Sequence, residues 1–216
     1  MKDASIDALI DGLADELQPV KPRRLSRGSL AVAAGWLAGA AALLWLSGMR
    51  HDLAGGAMMP ALPLLAFWTV VALGVAAAWS ALRMGLPGVG RDYSGWHWAG
   101  LAALAIPVTA IVIAFGDHHA AMEAARPENG IGCLVEGALS GLGVAAALFA
   151  WLKRAAPTSP GRAGWAIGIA AGAAGATIVA LHCASNDMMH IALWHGLAVV
   201  LSGVAGRVLL APLLRW

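Results

Sequence analysis

Six long apolar runs divide the sequence, at about residues 29–48, 60–82, 97–116, 131–152, 164–183 and 190–210, with short polar stretches between them. A helix crossing the hydrocarbon core of a bilayer needs about 20 mostly apolar residues. Each run therefore predicts one span, and the short connections predict a single bundle. Residues 1–20 follow a different pattern. Ile6, Leu9, Ile10, Leu13 and Leu17 recur at helical spacing as one apolar stripe, and Asp3, Asp7, Asp11, Asp15 and Glu16 decorate the remainder. Gln18-Pro19-Val20-Lys21-Pro22 then ends the helix, because proline lacks a backbone donor and clashes with the preceding turn. The expected fold is all-α: a polytopic bundle of six transmembrane helices over residues 29–216, preceded by an arm, residues 1–28, that carries a short amphipathic helix.

Composition excludes a soluble domain: 60% of residues are hydrophobic, 12% are charged, and the mean hydropathy is +0.73. Charge placement then orients the bundle, since Lys and Arg near span ends are retained on the cytoplasmic side. Lys21, Arg23, Arg24 and Arg27 precede the first run, Arg83 and Arg91 lie between the second and third, Lys153, Arg154 and Arg162 follow the fourth, and Arg207 and Arg215 close the chain. Only Arg50 and Arg126 fall on the other side, with Asp52, Asp117, Glu123, Glu128 and Asp187. Both termini are expected inside and three loops outside. A cleaved signal peptide is the rival reading of the first run, but that run continues past Trp45, beyond the 7–15 apolar residues or so of a cleavable segment.

The arm sets five acids against Lys2, which suits a basic protein partner rather than an anionic lipid surface or a nucleic acid. An isolated helix this short is marginal in water, so its stripe points to a receiving groove; a solvated helix without a partner is the alternative.

Candidate chemistry sits where polar residues interrupt the runs. Leu181 to His195, LHCASNDMMHIALWH, gathers His182, Cys183, Asn186, Asp187, His190 and His195 at one membrane edge. Cys133 opens the fourth run, and Glu136, three residues on, shares its helix face. A carboxylate within a span normally faces the bundle interior and finds a partner. The predicted topology puts Cys133 and Glu136 at the same outer level as His182, Cys183, Asp187 and His190, with His195 deeper. Two cysteines so placed can pair as a disulfide, bind a soft metal with imidazole neighbours, or simply fill space in packed helices. His118 and His119 in the second outer loop, near Asp117, Glu123 and Glu128, are weaker metal candidates, because their spacing matches no closed zinc pattern and a solvated polar loop explains them as well.

The acidic arm ending in Pro-Val, the six short spans, Cys133 at the outer start of the fourth, and His182-Cys183, Asn186-Asp187, His190 and Trp194-His195 across the last two together resemble the NrsF family, six-pass anti-sigma factors of the bacterial inner membrane. The resemblance covers essentially the whole chain. It implies a regulator rather than an enzyme, needing no cofactor and making no direct contact with nucleic acid. The arm, through Ile6, Leu9, Ile10, Leu13 and Leu17, would hold an extracytoplasmic-function sigma factor inactive. Outward cysteines matching Cys133 and Cys183 would sense heavy metals, as a transient ion at the thiols, or oxidants.

Two other classes fit parts of the pattern. A metal or small-ion transporter would use Glu136, His182, Asp187, His190 and His195 as a path, but the first five runs are nearly all apolar at mid-membrane and below. A membrane thiol oxidoreductase would be expected to carry a close thiol pair in sequence or a cofactor motif, and neither is present.

Overall fold

The computed structural model describes residues 3–16, 23–86 and 96–215, and the described residues are helical with short connections. Thirteen α-helical segments follow in order: α1 Asp3–Asp15, α2 Leu25–Ser47, α3 His51–Ala54, α4 Ala61–Met84, α5 Trp96–Ala103, α6 Ala105–Gly116, α7 His118–Ala124, α8 Pro127–Ser140, α9 Leu142–Lys153, α10 Pro160–Val179, α11 Met188–His190, α12 Gly196–Ala205 and α13 Ala211–Leu213. Two π-helical turns, Ile191–His195 and Gly206–Leu210, interrupt the last helix without ending it. Among the described residues, five helical stretches are long and apolar enough to cross a membrane: Leu25–Ser47, Ala61–Met84, Pro127–Lys153, Pro160–Val179 and Met188–Leu213.

Four of the six predicted spans keep roughly their expected limits, and two do not. The run at 97–116 is split at Leu104 into α5 and α6, each too short to cross on its own. Pro107 explains the split. It cannot donate to the carbonyl four residues back, and its ring crowds that carbonyl, which belongs to Ala103, the last residue of α5. The run at 164–183 ends early, at Val179, so Cys183 lies on a turn outside the helix. At the other end of the chain α2 begins at Leu25, inside the arm as drawn from sequence, and Leu17 of the predicted stripe lies outside the described residues.

Helix α10 is the axis of the bundle, buried along most of its length between α4, α8 and α12. Its sequence, GWAIGIAAGAAGATIV from Gly164, is rich in Gly and Ala, which lets neighbouring backbones come close where lipid offers no hydrophobic contrast. A Cβ on Gly172 would lie 2.7 Å from Val199 Cα, and Gly175 meets the carbonyl of Gly137 on α8. Gly35 and Gly143 bring α2 and α9 together in the same way, a Cβ on either standing 2.5 Å from the other's carbonyl oxygen. Large side chains fill what remains: Leu148, Leu152, Ile167, Ile178 and Val144 are fully enclosed. Outward-facing Leu37, Trp45, Val75, Val108, Phe115 and Leu209 are exposed, as suits contact with lipid chains.

Candidate metal centre

Cys133, Cys183, His190 and His195 converge at one end of the bundle. One ligand atom from each lies within 4.8 Å of all the others. Three segments deliver them. Cys133 sits on the second turn of α8 and packs against Ala40, Leu43, Ile178 and Val179, where α2 and α10 end. Cys183 follows the last turn of α10, where its backbone N–H donates to the Val179 carbonyl at 2.8 Å. His190 and His195 lie on the final helix. Cys183, His190 and His195 are 8%, 3% and 5% exposed, whereas Cys133 is half-buried.

Local chemistry explains why two histidines five residues apart reach one point. On an α-helix such a pair would diverge by about 140° around the axis. The segment between them, Ile191–His195, is instead a π-helical turn, whose wider i→i+5 repeat returns the chain to the same side. The imidazole centroids stand 5.6 Å apart, edge to face. Cys183 Sγ lies 3.4 Å from His190 Nε2. His195 Nε2 is buried without a hydrogen-bond partner, an arrangement that costs about 1–3 kcal/mol unless something else supplies a contact.

The remaining predicted residues support this set without joining it. Asp187 caps the last helix: its carboxylate accepts from the N–H groups of Met189 at 2.8 Å and His190 at 3.0 Å, fixing where His190 begins. His182 Nδ1 donates to the Gly48 carbonyl at 2.8 Å, so its Nε2 faces Glu136, whose Oε2 is 3.9 Å away. Both side chains are about one-third exposed, so this contact is a weak, screened link between the turn and α8. His118 and His119 are exposed on α7, and among the described residues they belong to no group of three or more convergent ligands.

Arg50 is the functional residue that sequence patterning missed. Read only as a stray charge in an outer loop, it is buried and acts as a clamp. Its guanidinium donates to both oxygens of Asp52 at 2.7 Å and to Asn186 Oδ1 at 2.9 Å, while its backbone N–H donates to the Leu181 carbonyl at 3.1 Å. Hydrogen bonding and charge from Arg50, with a bond from the Leu53 N–H, hold the Asp52 carboxyl below the usual carboxylate range. The Arg50-x-Asp52 spacing opposite Asn186 is the signal that could have revealed it. Trp194 adds a second tie, donating from Nε1 to the Ala124 carbonyl at 3.1 Å and lying flat against Gly130. Beneath the turn a mostly apolar cavity of about 560 Å³ runs between α4, α6, α10 and α12, with Arg50, Cys183 and His195 at its polar end.

The geometry can bind an ion or join two thiols, and the cavity beside it is mostly apolar. Comparison with known proteins supplies the context. The model of the family "NrsF: Negative regulator of sigma F" matches residues 13–216. The chain is 34% identical over 220 residues to the anti-sigma-F factor NrsF of Caulobacter vibrioides (strain NA1000 / CB15N), an alignment covering 97% of this chain and 99% of the relative. It is 31% identical over 198 residues to the probable anti-sigma-F factor NrsF of Azospira oryzae (strain ATCC BAA-33 / DSM 13638 / PS), covering 86% and 88%. No solved structure matches it. The chain belongs to the NrsF family, which groups regulators of a sigma factor rather than enzymes.

Proposed function

We propose that this protein is an inner-membrane anti-sigma factor that holds an extracytoplasmic-function sigma factor inactive on its N-terminal arm and releases it when Cys133 and Cys183 meet a heavy metal or an oxidant outside. The reading combines family membership with the charge-derived topology, six passes with both termini in the cytoplasm. In it, α5 and α6 together make the third pass, a broken one stabilised by its neighbours. The observation that carries the sigma-binding role is the state of α1. Ile6, Leu9, Ile10 and Leu13 are all more than half exposed, on a helix that precedes the basic anchor rather than lying within an apolar span. Such a stripe has most to gain by docking in a groove on a soluble partner.

The test is co-purification of the sigma factor with the Leu9→Asp, Leu13→Asp double variant. Two carboxylates at the centre of the stripe would each have to be buried unpaired, so the complex is expected to dissociate and sigma-dependent transcription to become constitutive. Wild-type retention of the partner would refute the arm as its binding element.

A further inference from the structure

We infer that Cys133, Cys183, His190 and His195 form one closed four-ligand site for a soft, closed-shell divalent cation of the zinc and cadmium class, with both imidazoles as ligands. This deepens the sensing role proposed above and rests on that reading for its consequence in signalling, although the binding itself does not.

Four observations converge. The first is the donor set: two thiols and two imidazoles are the combination that tetrahedral d¹⁰ ions select, and the set holds no carboxylate. The second is distance. Around a tetrahedral ion with bonds near 2.0–2.3 Å, donor atoms stand roughly 3.3–3.8 Å apart. The four atoms already lie within 4.8 Å of one another, and Cys183 Sγ and His190 Nε2 are at 3.4 Å. Closing on an ion therefore needs only side-chain adjustment. The third is the His195 ring, which joins the set through one nitrogen and whose Nε2 is buried without a hydrogen-bond partner. The fourth is support: the Asp187 cap and the π turn hold the two histidines, and the Arg50 and His182 bonds hold the turn that carries Cys183.

Charge decides the class of ion. Loading releases the two thiol protons, and two thiolates with one divalent ion and two neutral imidazoles leave no net charge at a largely buried site. The buried guanidinium of Arg50 is already committed to Asp52 and Asn186, so it does not serve as a counter-ion. All four coordination positions are filled by protein, which makes the site a clasp across α8, the turn and the last helix. It leaves no open position for catalysis.

The test uses the full chain purified in detergent under anaerobic, reducing conditions, titrated with Co²⁺ and then displaced by Cd²⁺. A tetrahedral S₂N₂ centre should give intense visible ligand-field bands and near-ultraviolet thiolate charge transfer at one equivalent. Second-sphere changes alone commonly cost 10–100-fold in affinity, so His190→Gln and His195→Gln are each expected to weaken Cd²⁺ binding by about 100-fold or more. Both keep a polar side chain of similar reach, and unchanged far-ultraviolet dichroism serves as the control for folding. Cys133→Ser and Cys183→Ser should each diminish the charge-transfer band. Wild-type affinity in both histidine variants, or a weak octahedral Co²⁺ spectrum, would overturn the inference. The Leu9→Asp, Leu13→Asp variant should bind Cd²⁺ normally, so failure of the arm and failure of the metal site give separate readouts.

Discussion

Replacing Gly172 with Ala adds a single methyl group on α10, facing the part of α12 one to two turns beyond His195, and its effect follows from the packing. The new Cβ would stand 2.7 Å from Val199 Cα, 2.9 Å from Ser202 Cβ and 3.0 Å from the Ala198 carbonyl, all parts of α12 that cannot rotate away. Ordinary contact begins near 3.4 Å, so α12 must retreat by about 0.7 Å, several times the ~0.2 Å within which metal-ligand distances are held. Val199 lies one turn beyond His195, so the retreat is delivered to the site. Overpacking of this kind costs about 1–3 kcal/mol, toward the upper end here because the contacts are with backbone and Cβ atoms, and the better helix propensity of Ala returns about 1 kcal/mol, leaving a net loss of up to about 2 kcal/mol. A loss of that size raises an open population by up to about 30-fold. The assay is maleimide labelling of the buried Cys183 in a Cys133→Ser background. Gly196→Ala is the control: it sits directly beside His195, but its Cβ would find nothing within 4 Å. Labelling should accelerate in Gly172→Ala and not in Gly196→Ala. Equal rates in the two variants would refute the claim that the α10–α12 contact holds the site closed.

Arg50→Gln should release the 181–187 turn from α3 and raise the labelling rate of Cys183. It should also remove an acid-dependent step. Because Arg50 depresses the Asp52 carboxyl, the stabilisation from Asp52 is complete above the unfolded carboxylate pKa and is lost as pH falls through the lower folded value. Tryptophan fluorescence followed below about pH 4 should thus show a transition in the wild type that the variant lacks. Reporter fusions after Gly55 and Ala125 should register outside, and fusions after Gly85 and Thr158 inside; one opposite result would break the proposed topology.

The outline of the fold was legible because membrane spans are specified by the length and polarity of a run, and both are local properties. Where legibility failed, the cause was a backbone event. Pro107 divides a run that hydropathy alone joins, and α10 ends at Val179 although apolar residues continue to Leu181. At the site, residue types and membrane level were readable, and Cys133, Cys183 and His190, grouped on that basis, do lie together. Roles within the group were not. Glu136 and Asp187 read as ligands beside those residues, yet one faces His182 and the other caps a helix, because hydrogen-bond partners depend on atoms that spacing does not locate. His195 read as deeper than the rest, and what spacing did not show is the π turn that brings it to the same side as His190.

The same contacts define a mechanical route from the site to the arm. Helix α2 spans the distance between them. At its far end Gly48 and Arg50 are bonded to His182, Leu181 and Asn186 of the turn. At its near end Arg23 donates to the Trp151 carbonyl at 2.8 Å and stacks over the Trp151 ring, while Gly28 admits Leu82 and Trp151 in close contact. The helix between them is 23 residues, about 35 Å, and has no proline to absorb a displacement. Its close seat on α9 at Gly35 and Gly143 makes sliding or rocking about that point easier than bending. In the proposed sensing, drawing Cys133 and Cys183 together would move α8 against the turn that holds the end of α2, and the pivot would carry the movement to Arg23, within the arm. Coupling of this form requires the clamp at Arg50 more than it requires any particular ligand. Arg50→Gln should therefore abolish induction even at Cd²⁺ concentrations high enough to saturate the loosened site, an outcome that separates sensing from transmission within one chain.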